Sequence, residues 1–174
     1  MRLYGAASGD GELHADLATR TSLAAAGLAI PTRAFGQQAA LRPTGQEAYG
    51  PCYPVRLPRG NDTDLTHYPG KTGRALGQVV ELTGRILDTA GRPLPQARLR
   101  VWQANAAGRY VHPVDRNPAP LDPSFLGIAE FGSGADGSYR VRTVKPGAYP
   151  EPSGTMRTPH LHFQIDNGDY RLAT

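Results

Sequence analysis

A single cysteine, Cys52, stands in the 174 residues, so neither an internal disulfide framework nor a CxxC zinc site can form. Cysteine usage leaves the cellular compartment open. No apolar run approaches the roughly 20 residues needed to cross a bilayer, so no integral membrane segment is expected. Charge of one sign is also scarce: 19 Lys and Arg stand against 15 Asp and Glu, a net charge of +4. The basic residues are scattered rather than massed on a run or a face, which gives no reason to expect nucleic-acid binding, although a mildly positive pocket would suit an anionic small molecule. No HExxH occurs, so zinc-hydrolase chemistry of that type is not signalled. Sustained helical patterns are missing beyond the N-terminal third.

What is abundant is punctuation. With 21 Gly and 16 Pro the chain is broken into short pieces, and its length suits one domain with a real core. QVVELTGRILD (78–88) is rich in strand formers and is followed by turn chemistry at Gly91 and Pro93. ARLRVWQ (97–103) alternates Leu99 and Val101 against Arg98, Arg100 and Trp102. GADGSYRVRTV (134–144) offers a turn at Asp136 and Gly137, then sets Tyr139 and Val141 opposite Arg140 and Arg142. HLHFQI (160–165) is the last clear strand. Short alternating strands without intervening helices predict an all-β fold, an antiparallel β-sandwich. Between the second and third of these strands runs a long excursion, NAAGRYVHPVDRNPAPLDPSFLGIAEFGSG (105–134). A loop of that length in a small domain is more often functional than idle.

Three regions are expected along the chain. Residues 1–37 form a tail containing TRTSLAAAGLAIPTRAFGQQ, with an apolar run from Leu23 to Ile30 and small residues at Ala34 and Gly36, as in a secretion signal. Only Arg20 immediately precedes the run, and acids in SGDGELHAD occupy the place of a basic leader. Export to the periplasm or exterior and residence in the cytoplasm are both open. Residues 38–76 read as an extended N-terminal arm held on the domain by Tyr49, Tyr53 and Tyr68, and residues 77–174 as the sandwich.

Five histidines are candidates for chemistry: His14, His67, His112, His160 and His162. The last two alternate in RTPHLHF, so a strand there would direct both imidazoles to one face, with Leu161 and Phe163 on the other. Two imidazoles do not make a tight first-row metal site, and Glu151 and Asp166 are poorly spaced to complete one. Tyrosines offer another route. A phenol with a pKa of about 10 is held as phenolate near neutrality only by a strong Lewis acid, of which ferric iron is the obvious biological case. Tyr110 and Tyr149 sit at strand-to-loop junctions that aim side chains at one end of a sandwich. Spacing alone leaves all four open between metal ligands and ordinary packing or hydrogen-bonding residues.

Several phrases together resemble the intradiol ring-cleavage dioxygenase family, of the protocatechuate 3,4-dioxygenase type. They are GPCYP, TGRILDTAGRPLPQARLRVWQANAAGRYVHP, PLDPSFLGIAEF, ADGSYRVRTVKPGAYP and RTPHLHFQI, in the family's order from about Gly50 onward. The resemblance implies non-haem Fe(III) held by Tyr110, Tyr149, His160 and His162, with Tyr110 and His160 equatorial and Tyr149 and His162 axial. It implies Arg157 as the active-site arginine, Tyr149 as a proton acceptor as well as a ligand, and Pro51 and Tyr53 as substrate-binding residues. The reaction implied is cleavage of a catechol-type, protocatechuate-like aromatic by O2 to a cis,cis-muconate. Hydroxyquinol, gallate and catechol are the alternative substrates, and a noncatalytic extracellular β-sandwich binding module is the alternative function. The expected partners are the small catechol and O2, in a homo- or hetero-oligomer.

The match has three departures. Glu151 stands where the protocatechuate enzymes carry a tryptophan. DYRLAT closes the sequence where the family continues into a further strand with an outer glutamine, so an incomplete C-terminal side of the core is expected. Nothing before Leu76 is long enough for the helical dimerisation domain of the catechol branch.

Overall fold

A computed structural model describes residues 2–6, 41–57, 62–151, 153–168 and 171–173. The signal-like segment and His14 lie outside the described residues. Among the described residues nine strands follow in chain order: β1 (Arg2–Ala6), β2 (Val79–Leu87), β3 (Arg98–Trp102), β4 (Ile128–Gly132), β5 (Ser138–Val144), β6 (Tyr149–Pro150), β7 (Met156–Arg157), β8 (His162–Asp166) and β9 (Arg171–Ala173). Among the described residues no helix is long and apolar enough to cross a membrane.

Every ladder between the strands is antiparallel. One sheet has the order β1-β2-β5, a second the order β4-β3-β8-β9, and β6 and β7 form a separate ribbon. The inward residues of the two larger sheets share one apolar cluster. Ile86, Tyr139 and Val141 come from the first sheet, and Leu99, Val101, Ala129, Phe131 and Ile165 from the second. Fully burying an aliphatic or aromatic side chain of this size contributes about 1.5–3 kcal/mol, so these alternating positions set which face of each strand turns inward. The expected antiparallel sandwich is therefore the observed architecture.

Three elements differ from expectation. Five residues near the end of the long excursion are not loop: IAEFG (128–132) forms β4, pairing Ala129 with Val101 and Phe131 with Leu99, because its two buried side chains continue the inner face of β3. The strand expected over residues 160–165 begins at His162, since its partner β3 ends at Trp102, directly opposite His162. The first residues of the expected tail belong to the sheet, with Arg2–Ala6 pairing against Thr83–Leu87. That pairing joins segments about 80 positions apart, so no local pattern announces it.

The outer face of the second sheet is what carries the site. Trp102 points away from the core, as its place in the alternation demands, yet it is only 2% exposed. The arm covers it: Tyr53 packs edge-on against Trp102 with ring centroids 5.2 Å apart, and Tyr49 lies beyond at 6.5 Å. Tyr68 remains exposed.

Candidate active site

Past Trp102 the chain enters the loop that delivers Tyr110. Asn105, almost fully buried, organises it. Its Oδ1 accepts the backbone N–H groups of Ala107 and Arg109, both at 2.9 Å, and its Nδ2 donates to Pro120 O at 2.9 Å. Its carbonyl also accepts from Gly147 N at 2.9 Å, which ties this loop to the turn before Tyr149. The two turns touch backbone to backbone. A Cβ on Gly108 would lie 2.2 Å from Ala148 O, and one on Gly147 would lie 2.5 Å from Gly108 N. Only glycine permits that approach, and Gly108 also has a φ of +81°, where side chains are strained. As a result Tyr110 and Tyr149 meet edge to face, with centroids 5.3 Å apart. Asp115 and Asn117 brace the far side: Asp115 Oδ2 accepts from Tyr110 N at 2.7 Å, and Asn117 Nδ2 donates to Gly108 O at 2.7 Å.

The histidines arrive from the other direction. His160 precedes β8, and its Nδ1 donates to Thr158 O at 2.6 Å, which leaves Nε2 as the acceptor. Nε2 lies 3.3 Å from Tyr149 Oη, so the phenol donates to it. His162 opens β8 and stacks nearly parallel on Trp102, at 4.8 Å and 6°. The two imidazoles stand at 4.9 Å, almost perpendicular. Burial, and then the charges of His160 and Arg157, depress the His162 pKa to about 4, so its ring is neutral at pH 7.

The phenols shift the other way. Burial and then the neighbouring Tyr149 hold the Tyr110 pKa far above the ordinary range, and burial raises Tyr149 as well. Tyr110 Oη is buried and has no hydrogen bond of normal geometry. Cys52 is pushed up to about 11, chiefly by burial.

These groups open into one cleft of about 810 Å³, lined by Pro51, Tyr110, Tyr149, Arg157, His160 and His162, among others. Six of the seven residues expected at the site, Pro51 among them, are thus brought together. Tyr53 is not at the cleft wall. Its hydroxyl donates to Gln164 Oε1 at 2.7 Å and accepts from Arg100, in a polar network with Glu130 on the sheet's outer face. Arg157, half-exposed, pairs with Glu151 at 2.9 Å at the cleft. Among the described residues no cluster of three or more His, Cys, Asp or Glu could hold a metal, so any ion here would take phenol and imidazole donors.

Asn105, Gly108, Asp115, Asn117 and Gly147, which build the site, were not singled out from sequence. The D-x-N-x-A spacing of Asp115 to Ala119 was the available signal: Asp115 and Asn117 each accept the backbone N–H two residues on, as turn-forming Asp and Asn do.

A family model described as Dioxygenase matches residues 49–174. The chain belongs to the intradiol ring-cleavage dioxygenase family. It is 46% identical over 134 residues to the protocatechuate 3,4-dioxygenase beta chain of Burkholderia cepacia, covering 74% of this chain and 57% of that one. To the hydroxyquinol 1,2-dioxygenase of Rhodococcus opacus it is 30% identical over 152 residues, covering 80% and 47%. The chain therefore spans less than two thirds of either relative's length. Among solved structures, the dioxygenase domain of a dioxygenase and carbohydrate-binding protein fusion from Streptomyces sp. SirexAA-E superposes with a TM-score of 0.59. The identity there is 28%, over 76% of this chain and 73% of that domain.

Proposed function

We propose that this intradiol dioxygenase cleaves a catechol-type aromatic between its two hydroxylated carbons, using O2 and a non-haem Fe(III) held by Tyr110, Tyr149, His160 and His162. The observation that carries this is the convergence of two phenols and two imidazoles on one cleft, with Tyr149 Oη 3.3 Å from His160 Nε2. The donor set fits the ion. A buried Tyr110 hydroxyl that makes no hydrogen bond of normal geometry costs free energy as it stands. Two phenols whose protons burial retains also need a strong Lewis acid to become phenolates, which ferric iron is and zinc or magnesium in an oxygen and nitrogen site is less suited to be.

Bound Fe(III) would supply the Lewis acidity that keeps the phenols ionised and makes a catechol reactive toward O2. The chain's own residues supply the rest. Tyr149 Oη is a strong base whenever it is ionised and uncoordinated, because burial raises its pKa, so it is placed to take a proton from a catechol hydroxyl. The Nδ1 contact of His160 with Thr158 O fixes the tautomer and aims Nε2 into the cleft. His162, neutral at pH 7, binds an ion without first losing a proton. Arg157 sets fixed positive charge beside the substrate ring, where negative charge gathers as oxygen attacks.

Protocatechuate is the leading substrate, on the likeness to the Burkholderia chain, with hydroxyquinol next on the likeness to the Rhodococcus enzyme. A beta-chain relative also favours assembly with a second chain, homo- or hetero-oligomeric. The test is oxygen uptake on Fe(III)-loaded protein with protocatechuate, hydroxyquinol, gallate and catechol, using 18O2 and mass analysis of the product. Ring-opened dicarboxylate carrying both labelled atoms is expected. An intact ring with every substrate would leave the noncatalytic binding module as the better account.

A further inference from the structure

His162 is flanked by the β3 indole and by the arm. On one side Trp102 lies flat against it, at 4.8 Å and 6° between planes, from the directly paired position on β3. The arm also passes near the ring at Gly50, where a Cβ would sit in ordinary van der Waals contact, 3.7 Å from His162 Cε1. Trp102 is in turn fixed by Tyr53, which packs edge-on at 5.2 Å. Tyr53 is anchored through its hydroxyl to Gln164 and Arg100, and Arg100 Nε donates to Glu130 Oε2 at 3.0 Å. Glu130, Arg100 and Gln164 are one cross-strand row on the sheet's outer face, next to the row Ile128, Trp102 and His162.

We infer that Trp102 and Tyr53 are positioning residues for His162: the arm segment Gly50–Tyr53 and the β3 indole form a clamp that presets the imidazole for metal binding. The inference rests on the metal site proposed above. An imidazole on a strand end is free to turn about its two side-chain torsions, and ordering it on binding costs free energy. A flat aromatic neighbour against one face, with the arm close by at Gly50, restricts that freedom beforehand, so less is lost when the ion binds. His160 is oriented by a hydrogen bond from Nδ1 to Thr158 O. Among the described residues His162 has no such bond, so stacking does for it what the carbonyl does for His160. The polar row beneath Tyr53 gives the clamp its footing. It explains why a tyrosine that does not line the cleft packs against a tryptophan that does not line it either.

The test measures Fe(III) affinity by chelator competition, and the phenolate-to-iron absorption band, in wild type, Trp102→Leu, Trp102→Phe and Tyr53→Phe. Loss of a group that orients a metal ligand weakens binding about 10- to 100-fold. Trp102→Leu is expected to fall in that range with a shifted band, while Trp102→Phe, which retains a flat ring, stays near wild type. Tyr53→Phe, which removes only the hydroxyl anchor, is expected to show a several-fold loss with an unchanged circular dichroism spectrum. If Trp102→Leu does not fold, Tyr53→Phe against wild type decides. Wild-type affinity and band in Tyr53→Phe and in every folded Trp102 variant would overturn the clamp and leave the metal site standing. Absence of iron uptake by wild type would overturn both.

Discussion

Gly108 and Ala148 are in contact at a distance that admits no side chain: a Cβ on Gly108 would lie 2.2 Å from the Ala148 carbonyl oxygen. This approach, together with the hydrogen bond from Gly147 N to Asn105 O, joins the loop after β3 to the turn before β6, and so joins Tyr110 to Tyr149. Gly108→Ala therefore has to separate the two turns. With a φ of +81° at this position, a cost of about 1–3 kcal/mol is expected, read as a lower urea midpoint at unchanged slope. Iron binding should fall much further than stability, because one phenol is displaced. Equal stability and equal iron uptake would contradict this account of the site's assembly.

The His162 imidazole gives the metal-free protein a pH dependence. Its folded pKa of about 4 lies below the ordinary histidine value of 6.5, so between those values the unfolded chain binds a proton that the folded chain refuses. Stability should therefore be lost as pH falls from about 6.5 toward 4, the loss levelling off below the folded value. Several lowered carboxylates, Asp64 and Asp166 among them, add their own losses in the acid range below. Urea denaturation at pH 7.0, 5.5 and 4.5 checks the window above those carboxylates. His162→Gln should flatten it, and a slope that survives the substitution would assign it elsewhere.

Glu151 occupies the mouth of the cleft, 2.9 Å from Arg157. The pair is well exposed, so Glu151→Gln should change stability by less than about 1 kcal/mol. Its effect belongs to the substrate. Releasing Arg157 from its carboxylate and removing a negative charge should favour a carboxylated catechol over a neutral one. The measurement is the ratio of kcat/KM for protocatechuate to that for catechol, expected to rise several-fold. An unchanged ratio would mean that Glu151 lies outside the substrate's field.

The strands were legible because their side chains alternate against a core. Leu99, Val101, Tyr139 and Val141 are buried where the period of two places them. The pattern was silent where structure depends on a distant partner. Arg2–Ala6 has no alternation strong enough to announce a strand, and IAEFG looks like the tail of a loop until Ala129 and Phe131 are set beside Val101 and Leu99. The same limit held at the site. Tyr110, Tyr149, His160 and His162 stood out as chemically capable residues, but spacing left their roles open. Their convergence comes from Asn105, Gly108 and Gly147, small or polar residues whose part is visible only once two turns are in contact. Tyr53 stood out as an aromatic of the arm and proved to face the polar row of Arg100 and Gln164 rather than the cleft.

The most direct measurement is titration of the metal-free protein with ferric iron, followed in the visible region. If Tyr110 and Tyr149 are the oxygen donors, one equivalent of iron should produce a deep red protein through phenolate-to-iron charge transfer. Tyr149→Phe should then shift and weaken that band while leaving the fold intact. A wild-type protein that stays colourless at saturating Fe(III), or a band indifferent to Tyr149→Phe, would contradict the proposed coordination.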